Sequence, residues 1–64
     1  MTQKTAVITG AAQGVGEAVA ERLAGEGVTD MLLIDRNETA LSDLANRLHG
    51  RGVNSRVLVL DLAN

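Results

Sequence analysis

The sequence predicts an α/β fold in which three strands alternate with two helices. Three observations predict it: short runs that are apolar at every position recur along the chain, longer amphipathic stretches separate them, and glycines stand where one kind of segment gives way to the other. Strands that are buried on both faces have continuous apolar runs of this kind, and helical crossovers favour parallel pairing. We therefore expect a β-α-β-α-β unit of a parallel sheet.

The first strand is predicted at the apolar run of residues 6–8, which ends before Gly10. Beyond the glycines, Val15, Val19 and Leu23 recur every four residues, and charged residues lie off this stripe. This period predicts an amphipathic helix.

The second strand is predicted at residues 31–34, and Asn37 is a favourable N-cap for the helix that follows. One face of that helix carries three leucines, which we interpret as core residues: Leu41, Leu44 and Leu48. The third strand is predicted at residues 57–60. If both crossovers step the same way, both helices cover one face of the sheet and leave the other open. We therefore expect an incomplete domain that folds poorly or self-associates when made alone.

Composition excludes several functions. The 64 residues carry eight acidic and six basic side chains, and the basic ones are scattered, which argues against a nucleic-acid partner. No apolar run is long enough for a signal peptide or a membrane span, and the chain lacks Cys. We expect a cytoplasmic protein with no membrane partner. A lone His49 predicts no metal site.

Three glycines follow the first strand and precede the first helix: Gly10, Gly14 and Gly16. A glycine loop that leads into a helix N-terminus binds anions, because first-turn N–H groups lack intrahelical partners and the helix dipole adds positive charge. The dinucleotide fingerprint G-x-G-x-x-G would need glycine at position 19, where Val19 stands. The P-loop would need lysine after a glycine, and Lys4 is the chain's only lysine. The spacing that remains is T-G-x-x-x-G-x-G.

With Asp35 after the second strand and Asp61-Leu62 after the third, this loop resembles the start of a classical short-chain dehydrogenase/reductase. The resemblance implies that residues 1–64 are the N-terminal NAD(P)-binding segment of one Rossmann-type, doubly wound domain, with no second domain present. It also implies adenine contacts for Asp61 and Leu62. The loop residues implied in cofactor binding are Gly10, Ala12, Gln13, Gly14, Val15 and Gly16. The related epimerases favour T-G-x-x-G-x-x-G, which would need glycine in place of Gln13.

Asp35 lies at the ~20-residue offset from the loop at which an acid meets the adenosine ribose. A carboxylate there binds both ribose hydroxyls and repels a 2′-phosphate, which favours NAD over NADP. Arg36 can instead hold a 2′-phosphate. NADP-preferring members of the family that the loop resembles often carry a basic residue just before the second glycine, where this chain has the neutral Gln13. Asp35 and Gln13 together outweigh Arg36, so we expect NAD.

Members of this family use a tyrosine as general acid/base with a lysine four residues later. The chain has no tyrosine, and we assign it no catalytic residue. The resemblance implies an NAD-dependent parent enzyme, homo-oligomeric, that transfers hydride between a nicotinamide cofactor and an alcohol or carbonyl substrate. The 64-residue chain alone is expected to be inactive. The alternative is a noncatalytic nucleotide-binding module, such as a redox-sensing regulator.

Overall fold

A computed structural model describes residues 4–60 of the chain. Its elements follow the predicted order, with strands β1 (Thr5–Thr9), β2 (Asp30–Asp35) and β3 (Asn54–Val59) and helices α1 (Gly14–Gly25) and α2 (Glu38–His49). Asp61 and Leu62, both predicted site residues, lie outside the described residues.

The three strands form one parallel sheet in the order β1-β2-β3, so β2 is central. Both crossovers step in the same direction, and the two helices lie on one face of the sheet. Contacts between them show this directly: the Arg47 guanidinium bridges to Glu17 and Glu21 across the helix pair, each at 3.1 Å. The prediction of a one-sided β-α-β-α-β unit is confirmed.

The core lies between the helices and the sheet. In β2, Met31 and Leu33 are buried, while Leu32 between them is only partly buried. The three leucines predicted for α2 are fully buried. At the start of α2, Asn37 Oδ1 accepts a hydrogen bond from the Ala40 N–H at 3.1 Å, as expected of an N-cap.

The far face of the sheet has no cover within residues 4–60. Val7 on β1 is 62% exposed and Leu58 on β3 is 44% exposed. The apolar stripe predicted for α1 is also only partly buried, since Val15 is 80% exposed and Val19 is 43% exposed. The residue of α1 that packs fully into the core is Ala20, whose small side chain lets the helix lie close to its neighbours.

Candidate functional site

The glycine loop leaves β1 through a backbone turn that requires glycine. Gly10 has a φ of 66°, in the left-handed region that other residues rarely adopt. The Gln13 N–H donates to the Gly10 carbonyl oxygen at 3.1 Å and closes the turn. The chain therefore passes from β1 to α1 through a turn of four residues.

The other two glycines of the loop meet different surroundings. A Cβ on Gly16 would overlap the Gly10 carbonyl oxygen and lie 3.1 Å from Ala11 Cα, so α1 begins in direct contact with the loop. A Cβ on Gly14 would meet no protein atom within 4 Å. Packing within the described chain therefore requires glycine at position 16 and leaves position 14 facing open space.

The N-terminus of α1 has no side-chain cap within the described residues. Its N-cap residue is Gln13, in an extended conformation (φ −94°, ψ 156°), and the Gln13 side chain makes no capping hydrogen bond. The Gln13 carbonyl oxygen accepts from the Glu17 N–H at 2.8 Å, which starts the helical ladder. N–H groups before that point have no intrahelical acceptor, and together with the helix dipole they favour an anionic ligand.

Two consecutive N–H groups tie the loop to the end of β2. The Ala11 N–H donates to the Ile34 carbonyl oxygen at 3.1 Å. The Ala12 N–H donates to Asp35 Oδ2, also at 3.1 Å. The other carboxylate oxygen, Oδ1, accepts from the Asn37 N–H at 3.1 Å. The Asp35 side chain therefore joins the glycine loop to the turn that leads into α2.

Asp35 is a buried residue, 6% exposed, that remains charged. Hydrogen bonding by the Asn37 N–H is the largest influence, and it lowers the pKa of the Asp35 carboxyl below its usual value of 3.8. Burial opposes this by raising the pKa, but the N–H groups of Ala12 and Arg36 and the positive charge of Arg36 lower it further. The site therefore presents a fixed negative charge beside the loop at neutral pH.

A cleft of about 630 Å³ lies between β1, the loop and α1. Of the predicted loop residues, those that line it are Gly10, Gln13, Gly14, Val15 and Gly16. Ala12 and Asp35 are joined to each other by a hydrogen bond and do not line this cleft. Arg36 is exposed beside Asp35. The Leu60 N–H donates to the Asp35 carbonyl oxygen at 2.9 Å, which brings the end of the third strand to the same edge.

Sequence reasoning missed two features of this site. Ala11 is fully buried and ties the loop to β2 through its backbone, which no side-chain pattern signals. The bond between Asp35 and Ala12 was also not expected. The sequence signal that could have predicted this bond is an acid directly after an apolar strand, because a buried carboxylate requires hydrogen-bond donors.

Within residues 4–60, no helix is both long and apolar enough to cross a membrane. The same residues contain no cluster of three or more His, Cys, Asp or Glu side chains that could hold a metal ion.

Comparison with known proteins identifies the family. The family model described as short chain dehydrogenase matches residues 4–64, nearly the whole chain. The chain belongs to this family. Among curated relatives, it is similar to 1,6-dihydroxycyclohexa-2,4-diene-1-carboxylate dehydrogenase of Pseudomonas putida, with 57% identity over 47 residues that cover 73% of this chain and 17% of the relative.

Solved structures of short-chain dehydrogenases have the same fold. The chain matches an alcohol dehydrogenase from the archaeon Thermococcus sibiricus, complexed with 5-hydroxy-NADP, at 38% identity and a TM-score of 0.89, covering 98% of this chain and 27% of that one. It matches a short chain dehydrogenase/reductase from Burkholderia phymatum, in complex with NAD, at 37% identity and a TM-score of 0.86, covering 97% and 22%. The chain spans about a quarter of the length of the curated relatives that it matches over nearly its full length.

Proposed function

We propose that residues 1–64 form the dinucleotide-binding segment of an NAD-dependent oxidoreductase that transfers hydride between a nicotinamide cofactor and an alcohol or carbonyl substrate. The observation that carries the proposal is the glycine loop, with the uncapped N-terminus of α1 on one side and the charged Asp35 on the other. Family membership supports a nicotinamide cofactor, since the two similar solved structures are complexes with 5-hydroxy-NADP and with NAD.

The loop fits the diphosphate of such a cofactor. An anion at the α1 N-terminus would meet first-turn N–H groups and the positive end of the helix dipole. The open space at Gly14 lets a phosphate approach the backbone, where a larger side chain would intrude. In this proposal the five loop residues that line the cleft hold the diphosphate, and Ala12 attaches the loop to Asp35 through its N–H.

Asp35 supports NAD over NADP. Its buried carboxylate stays ionised, so a 2′-phosphate placed beside it would be repelled, whereas ribose hydroxyls would donate hydrogen bonds to it. Arg36 contacts solvent and lowers the pKa of Asp35. We place the adenine beside Asp61 and Leu62, following the resemblance stated above.

The cofactor, when bound, supplies the hydride chemistry. The residues of this chain bind and orient its adenosine and diphosphate groups. Because the chain contains no tyrosine, we place the proton-transfer group of the parent enzyme outside residues 1–64.

The test is a titration of the full-length protein with NADH and NADPH, followed by cofactor fluorescence. We expect the wild type to bind NADH more tightly. Asp35→Ala should raise the affinity for NADPH relative to NADH, whereas the matched substitution Asp43→Ala, at an exposed position of α2, should leave the ratio unchanged. A ratio that does not move in Asp35→Ala would count against this role of Asp35, and no binding of either dinucleotide would refute the proposed function.

A further inference from the structure

The carboxylate of Asp35 already has protein partners on both oxygens. Oδ2 accepts from Ala12, 23 positions earlier in the chain, and Oδ1 accepts from Asn37, two positions later. A buried carboxylate needs such donors, and here one of the two donors belongs to the glycine loop. The residue is also buried, with 6% of its surface exposed, and both bonds are partly buried, which reduces competition from water.

Only two hydrogen bonds join the loop to β2 within the described residues. Among residues 4–60, the hydrogen bonds that join residues 10–13 to β2 are the one from Ala11 to the Ile34 carbonyl oxygen and the one from Ala12 to Asp35. The bond between Gln13 and Gly10 lies within the turn and does not connect it to the sheet. The Asp35 side chain therefore supplies one of these two hydrogen bonds, in addition to the packing of Ala11 and Gly16.

We propose that Asp35 is a positioning residue for the diphosphate-binding loop: by holding the Ala12 N–H, its carboxylate fixes the loop and the first turn of α1 in the geometry that receives the diphosphate. This inference rests on the proposed function and adds a second role to the contact with the ribose. The residue that sets cofactor preference also keeps the phosphate site in shape, so substitutions at position 35 weaken binding of NAD and NADP together while they change the ratio between them.

The two roles are compatible in terms of hydrogen-bonding capacity. An ionised carboxylate oxygen has two acceptor positions, and each oxygen of Asp35 uses one of them for a backbone N–H. With the Arg36 N–H, which also lowers the pKa of the carboxyl, three of the four acceptor positions are used and one remains for a ribose hydroxyl. The charged form that the ribose requires is also the form that accepts both N–H groups, and these N–H groups lower the pKa of the carboxyl.

A ligand without ribose hydroxyls separates the two roles. We would measure the affinity of the full-length protein for ADP and for 2′,3′-dideoxy-ADP by calorimetry, in the wild type, Asp35→Ala, Asp35→Asn and the matched control Asp43→Ala. Circular dichroism would verify that each variant is folded under the conditions used. Asp35→Ala should lower the affinity for dideoxy-ADP by on the order of tenfold, the effect of a lost hydrogen bond to a charged group. Asp35→Asn keeps one acceptor oxygen and should lose less, and Asp43→Ala should match the wild type.

Amide hydrogen exchange at Ala12 gives a second readout that needs no ligand. The Ala12 N–H should exchange faster in both Asp35 variants than in the wild type, while Asp43→Ala leaves its rate unchanged. If Asp35→Ala does not fold, Asp35→Asn carries both measurements.

The outcomes distinguish this inference from the proposed function. Unchanged affinity of the Asp35 variants for dideoxy-ADP, with reduced affinity for ADP, would overturn the positioning role and leave cofactor binding intact. A wild-type protein that binds neither nucleotide would refute the proposed function. In that case an unchanged Ala12 exchange rate in the Asp35 variants would overturn the positioning role as well, and a faster rate would support it.

Discussion

Gly14 and Gly16 both stand in the first turn of α1, and the structure predicts opposite consequences for replacing them by alanine. A Cβ at position 16 would lie 2.9 Å from the Gly10 carbonyl carbon, 3.1 Å from Ala11 Cα, and closer still to the Gly10 carbonyl oxygen. All three atoms belong to the backbone, so no side chain can rotate away. Either α1 or the loop must move.

The expected magnitude follows from two opposing effects. Overpacking of this kind costs about 1–3 kcal/mol. Replacing glycine by alanine within a helix returns roughly 0.5–1 kcal/mol. From the middle of each range, Gly16→Ala should therefore lower the free energy of unfolding by about 1 kcal/mol. Gly14→Ala meets no protein atom within 4 Å and should leave stability unchanged or raise it by about 0.5 kcal/mol.

Urea unfolding of the two variants, with a common slope, measures this difference. NADH titration of the same samples then tests what occupies the space at Gly14. We expect Gly14→Ala to bind NADH more weakly although it is no less stable, because its new methyl group enters the space proposed for the diphosphate. Equal stability of Gly16→Ala and the wild type would refute the packing argument, and full NADH affinity in Gly14→Ala would refute the placement of the diphosphate.

Three further predictions concern pH, packing and assembly. The pKa of the Asp35 carboxyl is lowered in the folded state, so the stability that the carboxylate contributes is complete above its ordinary pKa of 3.8 and is lost as pH falls through the folded-state pKa. Acid titration of unfolding should show this loss in the wild type and not in Asp35→Asn. Leu44→Ala, at a fully buried site, should lower the free energy of unfolding in urea by about 2–5 kcal/mol, whereas Arg47→Ala should lower it by at most about 1 kcal/mol, and by less in high salt. Equal losses in the two variants would contradict the assignment of the core. Isolated residues 1–64 should fold poorly or self-associate in sedimentation experiments, because the far face of the sheet has no cover within residues 4–60. A sharp two-state melt from a monomer would contradict this.

Most of the fold could be predicted from the sequence because its signals are local. Apolar runs, helical periods and an N-cap at Asn37 depend on neighbouring residues alone, and the structure confirms the elements and the cap. The third strand differs in its bounds, because backbone pairing with β2 starts it at Asn54, before the apolar run predicted at residues 57–60, and it ends at Val59. The degree of burial in α1 was harder to predict, since a periodic apolar stripe does not reveal what packs against it. Val15 and Val19 satisfy the pattern and yet are exposed, while Ala20 fills the core.

For the candidate site too, one part could be predicted from the sequence and another part required the tertiary structure. Glycine spacing and an acid after the second strand predict the loop and Asp35 as site residues from residue types and their order, because the proposed phosphate-binding turn is a short contiguous segment. The distinct surroundings of Gly14 and Gly16, and the bond from Asp35 to Ala12, required the tertiary structure. Both depend on segments distant in sequence or folded back on themselves, and their distances are set only when the loop, β2 and α1 pack together.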